Sequence, residues 1–209
     1  MAGTESTVRA SIFSEVALLE LHDPTGIPRL SRALIAALSE KFGELQLRED
    51  LRAVVLTGTE KCFAAGADLS EVNFLTPAEA RRFSALGQSL MQRLETFPRP
   101  VVAAVRGYCL GGGFDLALAC HLRVAAHDAV FGHPGGSLGL LTGWGGTQRL
   151  PRIAGRSRAI EMLATGCLVT ADEARRWGLV NRLASPENVL QEANAIARAA
   201  GRASAHPPI

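Results

Sequence analysis

The spacing of apolar residues changes character several times along the chain, and each change marks an element. Residues 8–21 (VRASIFSEVALLEL) mix alternating with continuous apolar positions, rich in β-branched residues, which predicts one or two strands. Asp23-Pro24-Thr25-Gly26 then supplies a turn. Leu34, Ile35, Leu38, Phe42 and Leu45 fall at helical spacing and predict an amphipathic helix over 31–45. The near-continuous run 51–58 (LRAVVLTG), ended by glycine, has the pattern of a strand buried in a largely parallel sheet. Residues 60–69 read as a loop. A second helical stripe, Ala80, Phe83, Leu86, Leu90, Leu94 and Phe97, covers 77–97. A strand over 101–105 follows, then three glycines, Gly111, Gly112 and Gly113, and a helix-like run over 114–122. Beyond a short strand near 123–125, the glycine-rich stretch 131–146 has apolar flanks and reads as a site-lining loop. Helices over 157–164, 171–177 and 187–203, with a strand at 180–183, complete the pattern. The alternation predicts an α/β fold with helices covering a sheet. It does not specify a topology.

Composition narrows the class. At 209 residues and 47% hydrophobic, the chain suits a single domain, 1–209. The formal charge of +2 arises from 22 basic and 20 acidic residues spread along the sequence, which argues against a nucleic-acid partner. No apolar run approaches the roughly 18 residues that span a bilayer, and the polar start MAGTESTVRAS lacks a secretory pattern. The expectation is a soluble, cytoplasmic protein without a membrane partner. Cys62, Cys109, Cys120 and Cys167 are irregularly spaced, without a CxxC pair or a finger-like histidine. They read as reduced, mostly buried thiols, and no metal site is expected.

Candidate chemistry gathers at two glycine-containing loops, each following a predicted buried strand: Phe63-Ala64-Ala65-Gly66-Ala67-Asp68 and Leu110-Gly111-Gly112-Gly113. If their strands are neighbours, both loops emerge at one sheet edge, where open α/β folds bind ligands, and two backbone amides can converge on one oxygen. The plainer reading is a pair of tight turns with glycine present for close packing. Asp115, in the first turn of the following helix, is either a catalytic acid or a carboxylate interacting with the helix dipole. His133 titrates in the range of a proton carrier, or is a hydrogen-bonded loop residue. Gly135-Gly136-Ser137-Leu138-Gly139 fits the G-x-S-x-G pattern of serine hydrolases, without the strand before and helix after that the motif needs. Trp144 either walls a pocket or simply packs. Arg29, Arg32 and Arg99 are available for phosphates or are solvated.

The segments VVLTGTEKCFAAGADLSEV, RPVVAAVRGYCLGGGFDLALAC and FGHPGGSLGLLTGWGGTQRLPRIAGRSRAIEMLATGCLVTADEARRWGLVNRL, in this order, resemble the enoyl-CoA hydratase/isomerase (crotonase) family over about residues 12–183. LELHDPTGIPRLSRAL resembles the family's turn and first helix, with Pro28 where an asparagine is usual. The resemblance implies a spiral of repeated ββα units with a core of about 8–185, a terminal helix and tail over 186–209, and a shortened C-terminal helical part. It implies an acyl-CoA substrate, no cofactor beyond the coenzyme A thioester itself, and a homotrimer or hexamer, which the short C-terminus puts in question. By motif position, the backbone N–H groups of Ala67 and Gly112 would form an oxyanion hole, and Asp115 would assist proton transfer. Gly26, Ala65, Asp68, Leu69, Leu110, Gly111, His133, Pro134, Gly135 and Trp144 would contact substrate. The family's hydratases carry two glutamates; here the first position holds Asp115 and the second, after Phe131-Gly132-His133-Pro134, holds Gly135. Paired carboxylates suit hydration, so ordinary hydratase activity is not expected. Decarboxylation, isomerisation or thioester hydrolysis fits one acid, and Gly135→Glu is expected to bring a gain in crotonyl-CoA hydration. The alternative is a non-catalytic acyl-CoA-binding or assembly protein on the same scaffold.

Overall fold

The computed structural model describes residues 6–205. Strands β1 (Thr7–Phe13) and β2 (Val16–His22) form an antiparallel hairpin, and α1 (Arg32–Gln46) follows, its first turn capped by the Ser31 side chain accepting from the Leu34 N–H at 3.2 Å. From here the chain repeats one unit. Strand β3 (Ala53–Thr57) is followed by β4 (Cys62–Ala64), the short α2 (Leu69–Val72) and α3 (Pro77–Glu95). Strand β5 (Val101–Val105) leads to β6 (Tyr108–Leu110) and α4 (Gly112–Ala119). Strand β7 (Leu122–Ala126) leads to β8 (Val130–Gly132), a 3₁₀ turn (Pro134–Leu138), α5 (Gly146–Ala154) and α6 (Arg156–Thr165). Finally β9 (Leu168–Thr170), α7 (Ala171–Arg176), β10 (Arg182–Ala184) and α8 (Val189–Ala205) close the fold.

The first strand of each unit joins a six-stranded sheet in the order β1-β2-β3-β5-β7-β10, parallel beyond the hairpin. The second strand joins a four-stranded sheet, β4-β6-β8-β9, parallel except for β9. This is the repeated ββα arrangement that the resemblance implies.

Side-chain alternation divides the large sheet's two faces. Leu19, Val54, Leu56, Val101, Ala103 and Val105 join the main core beneath α1, α3 and α4. Val16, Leu18, Ala53, Val55, Val102 and Ala104 point the other way, onto Val189, Ala193 and Ala197 of α8. Those three α8 residues recur every four positions, one stripe of a helix, and two are alanines that let the helix lie close. The terminal helix is therefore an integral cover for the sheet's second face.

Several elements differ from the sequence reading. Residues 60–69 hold β4 and the start of α2, β6 precedes the glycine triplet, and β9 lies between α6 and α7. Each of these strands has three residues, too few to show a period of two. Within the glycine-rich stretch, part of β8, the 3₁₀ turn and the first residue of α5 are ordered, and α5 as a whole went unrecognised because Pro151 and flanking glycines interrupt its pattern. Thr76 and Thr170 begin α3 and α7 through capping boxes with Glu79 and Glu173.

Candidate active site

The two glycine loops do meet. Strands β3 and β5 are neighbours in the large sheet and β4 and β6 in the small one, so the segments after β4 and β6 run side by side. Gly66, at φ +94°, lies so near the second loop that a Cβ there would stand 3.0 Å from both the Gly112 nitrogen and the Leu110 oxygen. Its backbone angle favours glycine, and a Cβ would crowd the second loop. Ala67 bridges Leu30, but the bridge uses the Gly66 carbonyl (2.8 Å) and the Asp68 N–H (3.4 Å), leaving the Ala67 N–H turned away from that pairing. Gly112 is the first residue of α4, so its N–H has no acceptor within the helix. Two unengaged amides thus lie on adjoining loops, one of them at the positive end of a helix dipole.

Both open on an apolar cavity of about 310 Å³. Of the residues singled out from the sequence, Ala65, Ala67, Leu69, Gly111, Gly112, His133, Pro134, Gly135 and Trp144 line it. Four do not. Gly26 lines a separate polar cavity of about 440 Å³ beside Asp23, Lys61 and Arg106. Asp68 caps α2, accepting from the Ser70 N–H at 3.0 Å. Leu110 ends β6 and is not among the lining residues. Asp115 lies behind the cavity wall, with no exposed surface.

Trp144 is a wedge. Its indole lies against Gly87 of α3 and Gly112 of α4, where an added Cβ would come within 2.2 Å of ring atoms at either position. It also packs on Phe83, ring centroids 5.3 Å apart. Its carbonyl accepts from Arg149 Nη1 at 3.1 Å, and Arg149 Nη2 reaches Glu95 at 2.6 Å, tying the loop to α3. Leu69, Val72, Leu75 and Leu163 complete the apolar lining. The wedge role was open from sequence; the two glycines that accept it were not.

Asp115 and His133 form the polar part. The Thr142 hydroxyl donates to Asp115 Oδ2, while Asp115 Oδ1 stands 3.5 Å from His133 Nε2. Burial raises the Asp115 carboxyl to about 7, with the Thr142 hydrogen bond, the Arg149 charge and the amides of Trp144 and Gly146 pulling it part of the way back. Burial alone lowers His133 to about 4, so the imidazole is neutral at pH 7. Among the described residues neither imidazole nitrogen has a hydrogen-bond partner. Thr142 and His133 line the cavity; Asp115 itself does not. Sequence reasoning missed Thr142, because one threonine in a glycine-rich stretch carries no periodic or spacing signal.

At Gly135, the second glutamate position, a Cβ would stand 2.9 Å from the Leu140 carbonyl oxygen. The Gly135→Glu substitution expected to bring a gain of hydration would require a local shift of the 135–140 turn, which is closed by the Leu140 N–H donating to the Gly135 carbonyl at 2.8 Å. Ser137 Oγ donates to the Pro134 carbonyl at 2.8 Å within the 3₁₀ turn, and lacks the strand-to-helix elbow of a hydrolase nucleophile. Arg99 gives its guanidinium to the carbonyls of Leu45, Gln46 and Arg48, anchoring the end of α1, and is not free for a phosphate. His121 accepts from the Val101 N–H at 3.0 Å and fixes the start of β5. The four cysteines are unpaired, and burial pushes Cys62 and Cys120 up to about 12, away from thiolate chemistry. Among the described residues, no group of three or more His, Cys, Asp or Glu could hold a metal, and no helix is long and apolar enough to cross a membrane.

Comparison with known proteins agrees with this architecture. A family model described as enoyl-CoA hydratase/isomerase matches residues 11–206. A short-chain-enoyl-CoA hydratase of Clostridium acetobutylicum is 39% identical over 184 residues, 88% of this chain and 70% of the relative. A crotonyl-CoA hydratase of Syntrophomonas wolfei is 39% identical over 184 residues, covering 88% and 71%. Among solved structures, an enoyl-CoA hydratase of Bacillus anthracis superposes with a TM-score of 0.88 at 35% identity, covering 92% of this chain and 76% of that one. The chain belongs to the enoyl-CoA hydratase/isomerase family.

Proposed function

We propose that the chain binds an acyl-CoA thioester in the 310 Å³ cavity and stabilises its enolate between the N–H groups of Ala67 and Gly112. One observation carries this reading: two unengaged backbone amides on adjoining loops at the edge of an apolar cavity. A thioester carbonyl oxygen gains negative charge when the α-carbon loses a proton or carbon dioxide and keeps the electron pair, or when a nucleophile adds to the carbonyl carbon. Preorganised donors contribute roughly 3 to 4 kcal/mol each to holding that charge. The cavity's apolar lining suits an acyl chain, and Trp144 bounds its depth. Asp115 assists proton transfer.

Chemistry requiring one acid fits this site better than two-glutamate hydration, because position 135 carries no carboxylate. The class is a lyase or isomerase, with decarboxylation and thioester hydrolysis within reach of the same enolate or oxyanion. No cofactor beyond the coenzyme A moiety is invoked. A cytoplasmic setting and a homotrimeric or hexameric assembly accompany the reading.

Incubation with crotonyl-CoA and a short panel of malonyl-type and hydroxyacyl-CoA thioesters, followed by mass spectrometry, tests it. Turnover that disappears in Asp115→Ala while thioester binding persists supports the enzyme. A second reading, a non-catalytic acyl-CoA-binding protein, is favoured by the retreat of Asp115 behind the cavity wall. Binding without turnover across the panel selects it.

A further inference from the structure

Asp115 has no exposed surface and does not line the cavity, so a catalytic use of its carboxylate needs a route. Thr142 supplies one: its side-chain hydroxyl donates to Asp115 Oδ2, and the residue itself lines the cavity. We propose that Thr142 is a proton shuttle, through which the buried Asp115 takes a proton from, and returns it to, a carbon of the bound acyl-CoA. The inference rests on the enolate reading above.

The step balances. A C–H bond α to the thioester breaks, and its electron pair moves into the carbonyl oxygen held by Ala67 and Gly112. The proton passes to Thr142 Oγ1 as that oxygen releases its own proton to Asp115 Oδ2. The Thr142 hydroxyl, at the cavity surface, trades its hydrogen with solvent while the enolate persists, so that return of a proton to the same carbon gives exchange, and return to the γ-carbon of an enoyl chain gives double-bond migration. No oxidant and no second acid takes part. Asp115 is then a positioning and proton-storing residue, and Thr142 is the group that meets substrate.

The surroundings suit this division. Groups facing Asp115 are His133 from the segment after β8, Arg149 from α5, whose guanidinium is held by Glu95 of α3, and the Cys109 thiol of β6. His133 is a neutral imidazole, and burial holds the carboxyl near 7, so both of its protonation states are populated at neutral pH. The methyl carbon of Thr142 lies toward Gly146, where an added Cβ would stand 2.9 Å from it, while the hydroxyl is directed to Asp115.

The test follows exchange of α-hydrogen for deuterium in butanoyl-CoA in D₂O by mass spectrometry, using the full chain, Thr142→Val, Thr142→Ser, Asp115→Asn and the Thr142→Val/Asp115→Asn double variant. Circular dichroism and butanoyl-CoA binding are measured on each. The expected result is exchange in the unaltered chain, a loss of about 100-fold or more in Thr142→Val with binding retained, and near-normal exchange in Thr142→Ser. The double variant should lose no more than either single one, and the pH midpoint of exchange near 7 should vanish in both single variants. Exchange that survives in Thr142→Val with its pH midpoint intact overturns the shuttle and leaves the enolate reading standing. Absence of exchange in the unaltered chain, with butanoyl-CoA bound, overturns the enolate reading and the shuttle with it.

Discussion

The two halves of the site are built from different material. The proposed oxyanion side is backbone: the N–H groups of Ala67 and Gly112, on segments fixed by strand pairing and by the start of a helix. The proposed acid–base side is made of side chains: Asp115, Thr142 and His133, with no carboxylate at Gly135. Backbone donors persist as long as the loops keep their path, whatever residues they carry. Side-chain chemistry changes with a single residue. On the proposed reading the hole depends on the fold and the proton chemistry on this sequence, so proteins with the same scaffold can differ in reaction.

The largest effect should come from breaking the backbone half. In Gly112→Ala the new methyl would stand 2.2 Å from the Trp144 ring, so either the loop or the indole must move. A displaced donor costs roughly 10²- to 10³-fold in turnover. Steady-state kinetics on an accepted thioester checks this, and undiminished turnover would show that the new methyl does not displace the donor.

Trp144→Ala comes next, because it removes the wedge between Gly87 and Gly112. A fall in stability of about 3–5 kcal/mol by urea denaturation should accompany a shift in preference toward longer acyl chains. A stability loss without that shift would reduce Trp144 to packing.

The side-chain half makes a subtler prediction in pH. The Asp115 carboxyl is raised to about 7 in the folded state, above its unfolded value of about 3.9, so the folded chain holds a proton that the unfolded chain has lost. Its contribution to stability falls as pH rises between those values. His133 is lowered to about 4 from about 6.5, so over that window the unfolded chain holds the extra proton and stability rises with pH. The two slopes, each approaching about 1.4 kcal/mol per pH unit, oppose one another from about pH 4 to 6.5. Asp115→Asn should expose the rising slope and His133→Gln the falling one in denaturation series across that range. Parallel pH curves for the two variants would contradict the burial assigned to both groups.

Ser137→Ala is expected to do least. Its hydroxyl is spent on the Pro134 carbonyl in an exposed turn, so stability should stay within about 0.5 kcal/mol and turnover should not change. Loss of turnover would reopen the hydrolase pattern.

The sequence conveyed the fold's long elements well and its short ones poorly. The stripes of α1 and α3 and the continuous runs of β3 and β5 bury whole faces, and burial writes a period into the residues. Strands β4, β6 and β9 have three residues each, so their place in the small sheet depends on partners remote in sequence. The same holds for the site. Two glycine loops after neighbouring strands were legible, and nine of the residues singled out line the cavity. What was not legible depended on approach between segments: Asp115 retreating behind the wall, Thr142 reaching it from 27 residues away, and Leu140 crowding Gly135.

The central claim, that Ala67 and Gly112 polarise a thioester carbonyl, can be read from the carbonyl itself. Difference infrared spectroscopy of butanoyl-CoA labelled with ¹³C at the thioester carbon isolates that stretch when the ligand binds. The account predicts a clear shift to lower frequency on binding, diminished in Gly112→Ala. A ligand that binds with its carbonyl stretch unmoved from the solution value would contradict it.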